Sequence, residues 1–249
     1  MTLGALLLAP WSIEAKSIAA LHGLCAQRPS HSFWFGANRL PFDARMTGIY
    51  GAFLITQVYL LVRGRWRASG VPSVWVLSAL LSFIVIMGLD GLNSTLDDVR
   101  LLTVYPPSNL LRFVTGALTG TTLAVFLWLL TSNILWETAQ QSSQPVIDGF
   151  RDLQVIALLI VAFGAVVMSG WLPIFPVLAV FLVVSAVTVI FELALCFTQL
   201  ARKRENTARI ASDLAQAAVW SLSGAYVFMF AMAGMRYWLE AAVHVKPLP

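Results

Sequence analysis

Uncharged apolar stretches of roughly span length recur along the chain, and short segments between them hold nearly all the charge. A helix needs about 20 residues to cross ~30 Å of hydrocarbon, so each stretch predicts a membrane span. Six are predicted. The first runs from Met46 to Val62 and is closed by Arg63, Arg65 and Arg67. The second runs from about Val71 to Leu89, with Pro72 in its first turn and Asp90 ending it. The third fills Phe113 to Trp136 between Arg112 and Glu137. Leu153 to Phe191 carries no charge and is too long for one crossing, and Trp171-Leu-Pro-Ile-Phe-Pro176 divides it into a hairpin of two helices. The fifth span therefore runs from about Pro176 to Leu200, and the sixth from Leu214 to Met235.

Ahead of the first span, Met1 to Pro10 is apolar but too short to cross, lacks a basic start and runs into Glu14 and Lys16. A cleaved signal peptide is not expected there. Trp11, Ile18, Leu21 and Cys25 recur at helical spacing, which predicts an amphipathic helix lying on the membrane interface. The expected organisation is an interfacial N-terminal segment over 1–45, a six-helix transmembrane domain over 46–240 and a tail over 241–249. The fold class is all-α, a polytopic integral membrane protein.

Composition removes the alternatives. Hydrophobic residues make up 59% of the chain and charged residues 11%, against about a quarter charged in soluble domains, which excludes a soluble globular protein and a disordered one. The net charge of +4 comes from 16 Lys and Arg set in short clusters between apolar runs. Such placement is an orientation signal and not a nucleic-acid surface. These cations divide evenly between the two faces, but Arg63 to Arg67 and Arg202 to Arg209 lie directly against span ends. That places both loops in the cytoplasm, with the termini and the acidic loop of Asp90, Asp97 and Asp98 outside. The two cysteines, Cys25 and Cys196, form no C-x-x-C pair.

The most distinctive stretch is His22 to Tyr50. In it Cys25, Gln27, Arg28, Pro29, Ser32, Phe33, Pro41, Ala44, Arg45, Thr47, Gly48, Ile49 and Tyr50 occur in an order that resembles a bacterial and archaeal membrane family, domain of unknown function 2085. The resemblance extends more weakly to Asp90 and to Arg112-Phe-Val-Thr-Gly116. It implies a bacterial inner-membrane protein and names no activity. Where the family pattern has a Cys-His pair and two further cysteines, a set suited to a soft metal, this chain has Cys25, Ala26, Asp43 and Met46. One thiol, one carboxylate and one thioether do not make a closed zinc site, so no metal and no cofactor are expected. His22 and His31 are expected to bond backbone or water at the interface.

Four other features bear on function. Glu192 is the only ionisable residue well inside a span. An intramembrane carboxylate costs at least ~2.5 kcal/mol when unpaired, so it is expected to face another helix and to be hydrogen-bonded, with Ser221 or Ser223 of the sixth span at its depth. Asp90 and Arg112 lie at the same face and are expected to form a structural ion pair, or else a quinone or lipid headgroup site. Gly116-Ala-Leu-Thr-Gly120 permits close helix approach, within the chain or between subunits. Trp66, Trp75, Trp136, Trp171 and Trp238 are expected as interface anchors. No phosphate loop, H-E-x-x-H, G-x-S-x-G or intramembrane histidine pair is present. The expected function is a non-catalytic membrane subunit or assembly factor that packs against other membrane proteins, as in an electron-transfer complex. The alternatives are a small transporter or channel, or a membrane enzyme working at the Asp43, Arg45, Asp90 and Arg112 face.

Overall fold

The computed structural model describes residues 10–243. A short helix, α1 (Ile13–Leu21), precedes six longer ones: α2 (Ala44–Val62), α3 (Val74–Asp98), α4 (Asn109–Leu135), α5 (Phe150–Met168), α6 (Phe175–Ala201) and α7 (Ala215–Ala242). These six helices are long and apolar enough to cross a membrane, and they coincide with the six predicted stretches. Asp43, Ser73 and Ser108 each cap a helix start by accepting a backbone N–H with the side chain. The proline-rich break falls as read: Gly170, at φ +62°, follows α5, and a short turn over Leu172–Ile174 leads into α6.

Two C-terminal boundaries differ most, since α7 runs past Met235 to Ala242 and α3 runs past Leu89. The second span does not stop at Asp90, because α3 continues to Asp98 with Asp90 buried inside it. A charge ends a span when water must solvate it, and here other side chains do so.

α4 is the hub. Its apolar window is 61% buried against 17% for α3, so α4 is enclosed by protein while α3 turns most of its surface outward. Glycines set its contact with α2. A Cβ on Gly116 would collide with the Arg45 carbonyl, one on Gly120 with the Ile49 carbonyl, and one on Gly48 of α2 with the Phe113 carbonyl. The small-residue pattern of the third span is therefore an internal helix contact.

Small β-pairs close the two ends of the bundle. At the end carrying the N-terminal segment, β1 (Ser32–Phe35) and β2 (Asn38–Asp43) form an antiparallel hairpin turning at Gly36, φ +62°. It buries Phe35, Leu40 and Phe42 with Leu21 of α1 and Leu178 and Leu182 of α6. The helix expected from Trp11, Ile18, Leu21 and Cys25 is nine residues long, with Cys25 beyond its end and Leu21 packed inward, and the hairpin follows it. At the opposite end, β3 (Ala68–Gly70) pairs in parallel with β4 (Ser142–Pro145), and Trp136 bridges Ala208. Three loops are zipped together there.

The arginines of that face have structural partners as well. Arg65 donates to Gln144 Oε1 at 2.9 Å, and its carbonyl accepts Trp128 Nε1 at 2.8 Å. Arg67 lies over the rings of Trp66 and Trp136. Trp136 is consequently buried and is not an interface anchor, whereas Trp75, Trp171 and Trp238 are exposed. The expectations for residues 1–9, for His244 and for the tail beyond Val243 lie outside the described residues.

Candidate functional site: the motif cap and its charged neighbours

The hairpin exists to return the chain: β2 delivers Asp43 to Cys25. Cys25 Sγ donates to Asp43 Oδ2 at 3.3 Å, while Asp43 Oδ1 accepts the Met46 N–H at 2.9 Å and starts α2. Cys25, Asp43 and the start of α2 at Met46 are therefore brought together. Burial first, and then the Asp43 charge, push the Cys25 thiol up to about 12. It is a thiol at neutral pH, and the thiolate is the metal-binding form.

The histidines are elsewhere. His22 stacks on Tyr237 at 3.9 Å and is held by Gln27 Oε1 at 3.0 Å and Glu240 Oε2 at 2.9 Å. His31 faces Asp98 at 3.8 Å, and burial, assisted by the Arg112 charge, holds its pKa below the usual value. Each has side-chain neighbours, because the hairpin and α7 enclose His22 and the α3 end flanks His31. Among the described residues no group of three or more His, Cys, Asp and Glu is arranged to hold a metal ion.

A web of cations fastens this cap. Arg236 of α7 donates to the carbonyls of His22 (2.6 Å), Cys25 and Ala26 (3.1 Å), and pairs with Glu240 at 2.8 Å. Gln27 stands at φ +55° and donates through Nε2 to the carbonyls of Ile18 and Pro41, at 3.0 and 2.9 Å. Arg28 meets Asp98 at 2.5 Å, and Arg39 donates to the Gln27 carbonyl at 2.7 Å.

Below the cap lies the Asp90 cluster. Arg45 Nη2 reaches Asp90 Oδ2 at 2.6 Å and Ser94 Oγ at 3.2 Å; Thr115 Oγ1 donates to the same carboxylate at 3.0 Å and Tyr105 OH to its other oxygen at 2.8 Å. The ion pair expected between Asp90 and Arg112 is not formed. Gly116 lets the start of α2 come against α4, which lays Arg45 across Asp90, and Thr115 is the α4 residue that reaches the carboxylate. Arg112, also buried, turns to Asn109 in its own helix at 3.1 Å. A groove of about 440 Å³ beside Asp90 is lined by Ile86, Leu89, Tyr105, Leu111 and Thr115, without Arg112.

Glu192 faces another helix, but a different one from that expected. Gln57 Nε2 of α2 donates to Glu192 Oε2 at 3.0 Å, whereas Ser221 bonds Thr198 at 3.2 Å and Ser223 is exposed. Ser185, Val189 and Glu192 share one face of α6, and that face is turned to α2, where Ser185 donates to the Tyr50 carbonyl at 2.5 Å. Gln57, an amide in an otherwise apolar span, was the signal that depth matching on the sixth span overlooked.

Two further grooves, about 420 Å³ between α3, α4 and α5 and about 310 Å³ between α1, α6 and α7, are lined almost wholly by apolar side chains. Residues 25–126, from Cys25 through the motif, α2 and α3 to Phe126 in α4, match the family model described as "Predicted membrane protein (DUF2085)". No curated protein and no solved structure matches the chain.

Proposed function

We propose, with the match to the DUF2085 family as premise, that this membrane protein is a non-catalytic subunit or assembly factor of a larger bacterial inner-membrane complex. In this reading its arginine-rich loops are cytoplasmic and its motif cap lies on the opposite side. The observation that carries the reading is a set of outward glycines. A Cβ added to Gly88 of α3, or to Gly224 or Gly234 of α7, would meet nothing of this chain within 4 Å. Small residues on an outer face let the backbone of another transmembrane helix approach closely. The engagement of the cap residues within the chain adds support: Cys25, Arg28, Asp43, Arg45, Asp90 and His22 all have intramolecular partners.

Purification in a mild detergent tests this. Membrane partners in fixed stoichiometry are expected, and Gly88→Leu or Gly224→Leu should release them with little change in the protein's own unfolding, since a Cβ at either position meets nothing of its own fold. A partner-free monomer, or variants that keep every partner, would overturn the proposal.

A further inference from the structure

Glu192 lies nine residues before the end of α6 at Ala201, about 13 Å along the helix. No ion pair involves it among the described residues. Its hydrogen-bond partner, Gln57, is 3% exposed and donates through Nε2 to Glu192 Oε2 at 3.0 Å, yet the other end of the same amide, Gln57 Oε1, is buried with no partner. Both atoms are bonded to one carbon, so the unpartnered acceptor lies within a few ångströms of the carboxyl group, in reach of a modest rotation of either side chain. A carboxylate has no proton to offer it, and a buried acceptor left unpartnered is unfavourable. A carboxylic acid supplies the missing donor. Its second oxygen carries an O–H that closes a two-point ring with the amide, N–H to acid carbonyl and acid O–H to amide carbonyl.

From this geometry we propose that Glu192 and Gln57 form a proton-binding site inside the membrane, with Gln57 both donating to the acid and accepting its proton. Phe53 of α2, Ala124 and Leu127 of α4 and Val189 of α6 form one apolar cluster, with Phe53 one turn from Gln57 and Val189 one turn from Glu192. The titratable groups on the packed helices are committed elsewhere or lie on other faces. On α2, Arg45 is held by Asp90 and Tyr59 by Asp152, while Tyr50 stacks on Phe42. On α4, Arg112 is at the far end, bound to Asn109. On α7, Arg236, Tyr237 and Glu240 belong to the cap, and Tyr226 lines the groove with Val183 and Val187. Cys196, one turn along α6, is the neighbour that shares the site's electrostatics. Removing the proton leaves a carboxylate facing the lone pairs of Gln57 Oε1, with Thr56 Oγ1 also buried and unpartnered on the same helix. Proton occupancy is thereby coupled to the packing of α2 on α6. This assignment does not depend on whether the protein is a subunit of a complex.

The test is labelling of the full chain in lipid nanodiscs with dicyclohexylcarbodiimide, which enters from the apolar phase. The acid O–H adds across one C=N bond, and the product rearranges to an N-acylurea, so the peptide gains the whole reagent with no leaving group; an ionised carboxylate lacks the proton this requires. Mass spectrometry is expected to find the adduct on Glu192, with labelling that falls as pH is raised and is absent in Glu192→Gln. In infrared spectra the acid carbonyl band, identified by its loss in Glu192→Gln, should move to higher frequency in Gln57→Leu. If that last variant fails to fold, the wild-type labelling profile and the Glu192→Gln difference band still decide. An unlabelled Glu192 at every pH together with no acid carbonyl band would overturn the proposal. So would labelling that sodium suppresses at fixed pH while proton concentration has no effect, which would make the site a cation site.

Discussion

Replacing Asp90 by Leu removes the acceptor for Arg45, Tyr105 and Thr115 at once. Breaking one side of a buried ion pair costs about 3–5 kcal/mol. The lower end applies here, because the Arg45 side chain keeps 22% of its surface exposed and retains Ser94, whereas Asp90 keeps only 3%. Thr115 loses little, since it also donates to the Leu111 carbonyl at 2.9 Å. Tyr105 loses a bond worth about 1 kcal/mol. The sum is ~4 kcal/mol. Reversible unfolding in mixed detergent micelles, followed by tryptophan fluorescence, measures it. Because replacing both members of a buried pair by apolar residues is often nearly neutral, the double variant Arg45→Met, Asp90→Leu should recover about 2–3 kcal/mol relative to the sum of the singles. Arg112→Leu combined with Asp90→Leu should instead be additive within about 0.5 kcal/mol. A loss below ~1 kcal/mol for Asp90→Leu, or stronger coupling to Arg112 than to Arg45, would refute the reasoning.

Gly120→Ala should cost about 1–3 kcal/mol in the same assay, since its methyl group lands on the Ile49 carbonyl and α2 must move away from α4. Cys25 should resist maleimide at pH 8 in the folded protein and react on unfolding, because burial foremost, and the Asp43 charge next, push its thiol up to about 12. The sign for stability follows: the folded value lies above the unfolded ~8.5, so this thiol's contribution is full below that value and is lost as pH rises toward about 12, which a melting series against pH would show. Rapid maleimide labelling of the folded protein would contradict the buried Cys25–Asp43 contact.

The spans were legible because hydrocarbon demands long uncharged runs and little else in a sequence produces them. Asp90 misled for the same reason. A lone charge at the end of an apolar run reads as an exit to water, and the side chains that solvate it come from α2, α4 and the loop between α3 and α4. Glu192 was legible as a buried carboxylate, but depth alone does not give direction: Ser221 and Gln57 are both near its level, and the rotation of α6 selects Gln57. The Gly116 and Gly120 pattern announced a close contact without naming α2 as the partner. The hairpin escaped because Ser32 to Asp43 contains Pro41 and no clean alternation, so no local period marked two strands. In the cap, the motif placed Cys25 and Asp43 together through resemblance; the roles of Gln27 and Arg236 as bonding centres rest on long-range backbone contacts that no local spacing encodes.

Arg236 lies in α7 and the carbonyls it binds lie ahead of α2, so translation makes the donor at least 210 residues after the acceptors. The cap therefore stays unlatched through five insertions and is fastened only when the sixth span arrives. A nascent or truncated chain lacking α7 presents those carbonyls unsatisfied. Arrival of α7 is thus recorded in the hydrogen bonding of the cap, far from it in sequence.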